Sequence, residues 1–357
     1  MKQKSLNYFD KRNASLSFKK KREFVNTIPK NALVELTNAC NHECVFCYNP
    51  EMKRKIGSLD INLFETFVKK SCDEGLEEIG LYATGEPFMT KNLPDFIKIA
   101  KNNGIKRVYI TSNGALASID KVKKCLDAGL DSIKFSINAG TKESYKIIHG
   151  YDDFEKVIHN VKEIHNYVKM NNLNVKLLCT FIYTNLTYNE IDSFSATYGK
   201  YFDERIGFYQ ASNQGGLTTK KNIVLTKRIP SKSIKNQKYK PCEMLWNRIH
   251  LNNKGYLTAC CVDYENNLTY KKLSEDESVL DQFNAPRMIE LRKKHLTNQL
   301  DGTICKNCIY NTNEMYKKII PNSNERNITV KKKKIDHLNQ RINKIAKDKL
   351  IKIKPQN

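Results

Sequence analysis

The sequence predicts an α/β protein: an open, partial (β/α)6 barrel of TIM-like kind, followed by a small C-terminal subdomain. Three observations predict it. Short β-rich runs alternate with amphipathic helical stretches from residue 32 to about 211, the pattern of right-handed βα units around a parallel sheet. Short polar motifs follow the first four of those runs, at the strand ends where parallel α/β folds keep their chemistry. Six units are too few to close an eight-stranded barrel, so the sheet should stay open.

The strand candidates are Ala32–Thr37, Glu77–Ala83, Arg107–Thr111, Asp131–Ile137, Asn174–Ile182 and Arg205–Gln210, rich in β-branched and aromatic residues and bounded by turn residues. Between them, Asp60–Glu74 carries Ile61, Phe64, Phe67 and Val68 at helical spacing and stops at Gly75. Leu93–Asn103 is closed by Gly104, Ser118–Ala128 by Gly129, and Thr141–Asn171 should break near Gly150, because glycine is the usual helix terminator. Further on, Arg248–Thr258 reads as a hairpin turning at Gly255. The resulting division is a basic extension (1–30), the barrel (31–220), a cysteine-bearing region (221–320) and a basic tail (321–357). In the tail, Ile335, Leu338, Ile342 and Ile345 form one apolar stripe that either docks or frays.

The chain has 357 residues, 40% hydrophobic and 28% charged, with a net charge of +23. That composition is globular, and no apolar run reaches the length of a membrane span. Residues 1–30 carry +7 and residues 331–357 carry +8. The excess charge therefore sits mainly in tails, which is weak support for nucleic acid as a partner. These tails are expected to be dispensable for catalysis. Eleven cysteines at metal-ligand spacings, without a secretion signal, indicate a reduced, cytoplasmic setting.

The first cysteines, Cys40, Cys44 and Cys47, share one loop after the first strand. Three thiolates are one short of a closed zinc or iron–sulfur shell. A zinc site completed by a residue such as His42 or Cys72 is the competing assignment, and it would not require the downstream motifs. The C-x3-C-x2-C spacing with Phe46 before the third cysteine resembles the signature of the radical S-adenosylmethionine superfamily. The resemblance implies a [4Fe–4S] cluster on Cys40, Cys44 and Cys47, its open iron chelated by the methionine end of S-adenosylmethionine. It also implies reductive cleavage of that cofactor to a 5′-deoxyadenosyl radical, and a reducing partner such as flavodoxin or ferredoxin. Thr84-Gly85-Glu86-Pro87 resembles the family's GGEP motif, with threonine in place of the first glycine. By the same resemblance Gly85 and Glu86 meet the cofactor's amino group, and Ser112, Ser136 and Asn138 face its ribose and carboxylate. Asn138 stands where related sequences often have aspartate.

A second set follows: Cys242, Cys260-Cys261 and Cys305-x2-Cys308. The pattern Cys242-x12-Gly255-x4-Cys260 resembles the opening half of the SPASM domain, and the absence of cysteine after Cys308 fits its truncated "twitch" form. That implies one auxiliary [4Fe–4S] cluster fully ligated by Cys242, Cys260, Cys305 and Cys308, suited to accepting an electron; a four-cysteine zinc site is the alternative. Cys72, Cys125 and Cys179 read as apolar core residues, and His149, His159 and His165 as surface residues of a long polar helix. Cys261 is left open between a spare ligand, a small buried residue and a substrate contact; Trp246, Arg248, His250 and Asp263 are undecided between substrate contact and packing, and no catalytic base is named. The expected function is radical oxidation of a polar small molecule such as a sugar, cyclitol or nucleotide-sugar hydroxyl. Peptide maturation is the second reading, disfavoured by the roughly 30 residues before the first strand, too few for a separate peptide-recognition domain. A metal-stabilised RNA-binding or interaction protein is the third, and it leaves the cysteine loop unexplained.

Overall fold

The computed structural model describes residues 21–226, 239–310, 312, 314–320 and 332–351. Most of the basic N-terminal extension, residues 227–238 and parts of the C-terminal tail lie outside the described residues, whereas the expected 220/221 boundary falls within a helix, Thr219–Thr226.

The chain enters the sheet through β1 (Asn31–Val34), whose four residues are all buried. Helix α1 (Ile61–Asp73) starts where Asp60 accepts from the backbone N–H groups of Asn62 and Leu63, and it buries Phe64, Phe67 and Val68, the apolar stripe that the spacing predicted. Then follow β2 (Glu78–Gly80), α2 (Leu93–Asn102), β3 (Arg107–Ser112), α3 (Ile119–Asp127) and β4 (Ser132–Ser136). The expected long helix is two. A reciprocal Thr141–Ser144 box caps α4 (Lys142–His149), Gly150 ends it at φ 88°, and α5 (Phe154–Met170) follows. The barrel finishes with β5 (Lys176–Tyr183), α6 (Ile191–Tyr198), β6 (Gly207–Gln210) and α7 (Thr219–Thr226).

All six strands pair in parallel with their sequence neighbours, and the barrel stays open. The free edge of β1 is taken by β7 (Ile249–Leu251), also parallel, after the short helix α8 (Met244–Asn247). The antiparallel strands β8 (Tyr256–Thr258) and β9 (Thr269–Lys272) follow, giving one sheet ordered β6-β5-β4-β3-β2-β1-β7-β8-β9. The expected hairpin therefore forms, turning at Gly255 with φ 73°, and extends the barrel's own sheet. Three helices come next: α9 (Val279–Phe283), α10 (Pro286–Thr297) and α11 (Ile304–Tyr310).

The last helix, α12 (Lys332–Ile351), docks. Leu338, Ile342 and Ile345 are buried against Val45, Phe46, Ile148, Ala211 and Leu225 in an apolar cluster separate from the main core. Arg341 donates to the backbone carbonyl of Glu43 at 2.7 Å. The expectation that the tail is an appendage without bearing on the site loses its basis, because its apolar stripe is the cover of the cysteine loop. Cys125 and Cys179 are buried in the core and Cys72 packs against it, as read from sequence. Among the described residues, no helix is long and apolar enough to cross a membrane.

Candidate active site

The cysteine loop is held from three sides. Asn38 accepts from the backbone of Gly57 at 2.9 Å and from the Asn253 side chain at 3.0 Å. Asn49 donates to the carbonyls of Asn38 and Thr84. The amides of Glu43 and Val45 donate to the carbonyls of His149 and Ile148, so the end of α4 is zipped to the loop. Burial pushes the Cys40 thiol up to about 12, with the charge of Glu86 adding to the rise. It raises Cys44 and Cys47 too, Cys44 also through the neighbouring thiols. Against that cost, donors approach each sulfur. The Asn113 amide lies 4.0 Å from Cys40, His149 Nδ1 3.5 Å from Cys44, and the Asn49 backbone N–H 3.4 Å from Cys47. Tyr264 adds its hydroxyl 3.2 Å from the Cys47 sulfur. Three half-buried thiols with N–H and O–H groups aimed at their sulfurs fit a cationic metal centre, which relieves their mutual repulsion as thiolates.

The stretch after β2 packs against that loop. A Cβ on Gly85 would lie 2.4 Å from the carbonyl of Thr37 and 2.6 Å from that of Ala39, so only glycine fits, and the Glu86 amide donates to Ala39 at 2.8 Å. Thr84, the departure from the GGEP pattern, sends its hydroxyl to Glu35 within a buried network. There Arg54 binds Glu35 at 2.7 Å, Thr84 at 3.2 Å and Asn253 at 3.3 Å. Here a side chain does structural work that glycine could not. Glu86 is itself buried; its carboxylate accepts from Ser112 Oγ and the Asn113 amide, both at 2.8 Å, and from the Phe88 amide at 3.2 Å. Burial pushes this carboxyl up to about 7, opposed by those three donors.

Glu86, Ser112 and the Cys40 side of the loop are thus brought together. Ser136 and Asn138 lie further along the strand ends. Ser136 Oγ is 3.3 Å from Thr180 Oγ1. Asn138 accepts from the Ile182 amide at 2.8 Å and turns its Nδ2 toward His149 Nε2 at 3.3 Å. Phe46 packs in the apolar cluster under α12.

His149 corrects the sequence reading. It was expected on the surface of a long helix, and it is wholly buried. Breaking that helix at Gly150 gives α4 its own axis, which turns its last residue inward. The adjacent His149-Gly150 was the available signal. His159 is exposed, and His165 is half-buried against the Tyr201 carbonyl. Tyr264 and the Glu35–Arg54 pair were also missed, and His42 was considered only as a zinc ligand, since each acts through partners far away in sequence.

The second cysteines converge from three places: Cys242 ahead of α8, Cys260 and Cys261 after β8, Cys305 and Cys308 on α11. Burial raises Cys242 to about 11 and raises Cys305 further, and each also feels the charge of the other set members. Helix α11 comes this close because Gly215 and Gly216 offer no side chain; a Cβ on Gly215 would lie 2.6 Å from Ile304. Asp263 accepts from Thr258 Oγ1 and the amides of Asn267 and Leu268, so it organises the turn between β8 and β9. Trp246 donates to the Arg22 carbonyl and Arg248 to Asn31, both at 2.6 Å. They line a cavity of about 540 Å³ at the opposite end of β1. His250 is buried on β7, beside Cys261.

Residues 34–192 match the Radical SAM superfamily. These residues form a radical SAM domain. It is 31% identical over 134 residues to a probable GTP 3′,8-cyclase of Metallosphaera sedula, covering 37% of this chain and 42% of the relative. It is 34% identical over 131 residues to a probable GTP 3′,8-cyclase of Saccharolobus islandicus, covering 36% and 41%. The chain thus spans about two fifths of the length of the curated relatives it matches. Its fold is shared with BtrN solved with AdoMet and 2-DOIA, at 19% identity and TM-score 0.53, over 82% of this chain and 98% of that one. Streptococcus suis SuiB bound to precursor peptide SuiA gives 13% and 0.56, over 74% and 66%. The AdoMet- and peptide-bound anSMEcpe gives 13% and 0.55, over 90% and 98%. The radical SAM family implies one [4Fe–4S] cluster and S-adenosylmethionine, and the three half-buried cysteines of the loop with their aimed donors are compatible with that cluster.

Proposed function

We propose that this radical SAM enzyme oxidises a hydroxyl-bearing carbon of a polar small molecule such as a sugar, cyclitol or nucleotide sugar. Cys40, Cys44 and Cys47 would hold the radical-generating [4Fe–4S] cluster, and Cys242, Cys260, Cys305 and Cys308 a second, fully ligated one. With such a group bound, those first three cysteines would hold it where it could supply the electron for reductive cleavage of S-adenosylmethionine, the source of hydrogen-abstracting power.

The protein's part is binding, orientation and exclusion of water. Glu86, tied down by Ser112 and the Asn113 and Phe88 amides, offers a fixed carboxylate for the cofactor's ammonium group. Gly85 lets that segment lie flat against the cysteine loop, and α12 with Phe46 closes the loop's outer face. Removing a hydrogen atom from a carbinol carbon leaves a carbon radical; loss of the hydroxyl proton and one electron then gives a carbonyl. The electron needs a nearby acceptor. The observation that carries the reading is the link between the two cysteine sets: Tyr264, in the turn after Cys260-Cys261, reaches the Cys47 sulfur. A cavity of about 550 Å³ lies at the same end, lined by Tyr48, Lys53, Glu265, Asn267, Tyr316 and Lys318 among others. Such a charged and hydroxyl-rich lining suits a polar substrate.

Peptide maturation remains the second reading, supported by two relatives in fold whose structures hold peptides. All eleven cysteines are unpaired, which supports a reducing, cytoplasmic setting, and a flavodoxin or ferredoxin would deliver the priming electron. The deciding experiment is anaerobic reconstitution followed by turnover with a deuterated panel of sugars, cyclitols and peptides. Deuterium should appear in 5′-deoxyadenosine with a carbinol-labelled small molecule. Transfer from a peptide alone would replace this reading with the second.

A further inference from the structure

His149 is a buried imidazole for which the proposed reaction has no role, yet its surroundings determine where its proton sits. The ring ends α4, is fully buried, and stacks on Tyr145 one turn earlier, with centroids 4.0 Å apart and planes inclined by 11°. The backbone pairing of Glu43 and Val45 with His149 and Ile148 fixes it relative to Cys44. The Asn138 amide N–H lies 3.3 Å from His149 Nε2. An amide N–H can only donate, so Nε2 carries a lone pair and the neutral ring bears its proton on Nδ1.

That proton faces two acceptors. One is the Cys44 sulfur at 3.5 Å, the other His42 Nδ1 at 3.3 Å. His42 in turn sets its Nε2 3.1 Å from the Asp153 carboxylate, which only accepts. The His42 proton therefore sits on Nε2, leaving its Nδ1 free to receive. Asp153, His42 and Asn138 together leave His149 one orientation, with an N–H directed at His42 and at a cysteine sulfur. A metal-bound thiolate carries negative charge and is the stronger acceptor of the two.

We propose that His149 is a positioning residue for the first cluster, donating its Nδ1–H to the Cys44 sulfur and so raising the cluster's reduction potential. The inference rests on the reading that Cys44 binds that cluster. Reduction adds negative charge to the cluster and its sulfurs, so a donor aimed at one sulfur stabilises the reduced state more than the oxidised one. The Asp153–His42 pair holds the tautomer that makes the donation possible.

The test compares wild type with His149→Phe, which keeps a stacking ring and loses the donor, and His149→Asn, whose amide places an N–H near the former Nδ1. After anaerobic reconstitution, iron is counted and the midpoint of the first cluster is measured by spin-resonance-monitored titration. Its signal is recognised by its change on adding S-adenosylmethionine. Reduction of His149→Phe should be about tenfold less favourable, a negative shift of about 59 mV for one electron, and His149→Asn should recover most of it. An unshifted midpoint in His149→Phe at full iron content overturns the proposal, as does an asparagine variant shifted as far as the phenylalanine one. If His149→Phe fails to load, His149→Asn is compared with His149→Gln, whose amide lies nearer the Nε2 position; equal midpoints then overturn it. A wild type without any S-adenosylmethionine-responsive cluster signal overturns instead the underlying assignment of Cys44.

Discussion

The hydroxyl of Tyr264 lies 3.2 Å from the sulfur of Cys47, joining a loop near the start of the chain to the turn that follows Cys260-Cys261. Arg54 adds a second tie, donating to the Tyr264 carbonyl at 2.6 Å. Tyr264→Phe should keep both clusters and the fold, since the ring stays. Loss of the contact, worth about 1 kcal/mol, loosens the join between the two cysteine sets. The ratio of oxidised product to 5′-deoxyadenosine should then fall several-fold, as read by chromatography of a single reaction mixture. An unchanged ratio would assign Tyr264 to packing alone.

Metal content separates the two sets. Wild type should carry about eight irons, and either Cys40/Cys44/Cys47→Ala or Cys305/Cys308→Ala about four. The triple variant should make no 5′-deoxyadenosine under dithionite. The double variant should still cleave cofactor but form far less oxidised product. Four irons plus one zinc in wild type would make the second set a structural brace.

Glu86 gives a pH dependence with a definite sign. Burial places its carboxyl at about 7 in the ligand-free protein, and a bound ammonium lowers that value. Cofactor binding should therefore release a proton near neutral pH and strengthen as pH rises through 7, then level off. Calorimetry in buffers of different ionisation enthalpy measures the proton count. Glu86→Gln should abolish the dependence, and Glu86→Ala should weaken binding by about 1–3 kcal/mol.

Helix α12 should matter to the cysteine loop. Leu338 is fully buried against the cluster of Val45 and Phe46, and Leu338→Ala should cost about 2–5 kcal/mol of the stability of that contact. A protein ending at residue 331 should expose Phe46, lose cofactor-cleaving activity and become sensitive to proteolysis within residues 40–48. Full activity after truncation would restore the view of the tail as dispensable.

Local signals in the sequence were read well. The six parallel strands, the break at Gly150 and the turn at Gly255 each rest on propensity or on one residue's backbone freedom, which neighbours in sequence reveal. The pairing of β7 with β1 was not legible, because strand order depends on an edge left open by elements two hundred residues earlier. Nor were the partners of Thr84, His149 and Tyr264. A buried polar side chain is defined by what meets it across the fold, and composition treats it as a surface residue by default. The cysteine spacings stood out because metal ligation imposes a local rule, whereas the donors around those sulfurs obey none.

The register of β1 carries a consequence for how the enzyme is made. Ala32 pairs with Ile79 on one side and with Ile249 on the other. During synthesis, the strand that leads into the cysteine loop keeps a bare edge until Leu251 has left the ribosome. The six barrel strands precede β7 in the chain, and without it they would expose an unpaired parallel edge next to the cysteine loop. Completion of the hairpin covers that edge and delivers Tyr264 to Cys47 in the same event. The surroundings of the cysteine loop are thus completed only by the second cysteine region: a chain ending before Leu251 would lack both the β7 partner of β1 and the Tyr264 contact to Cys47.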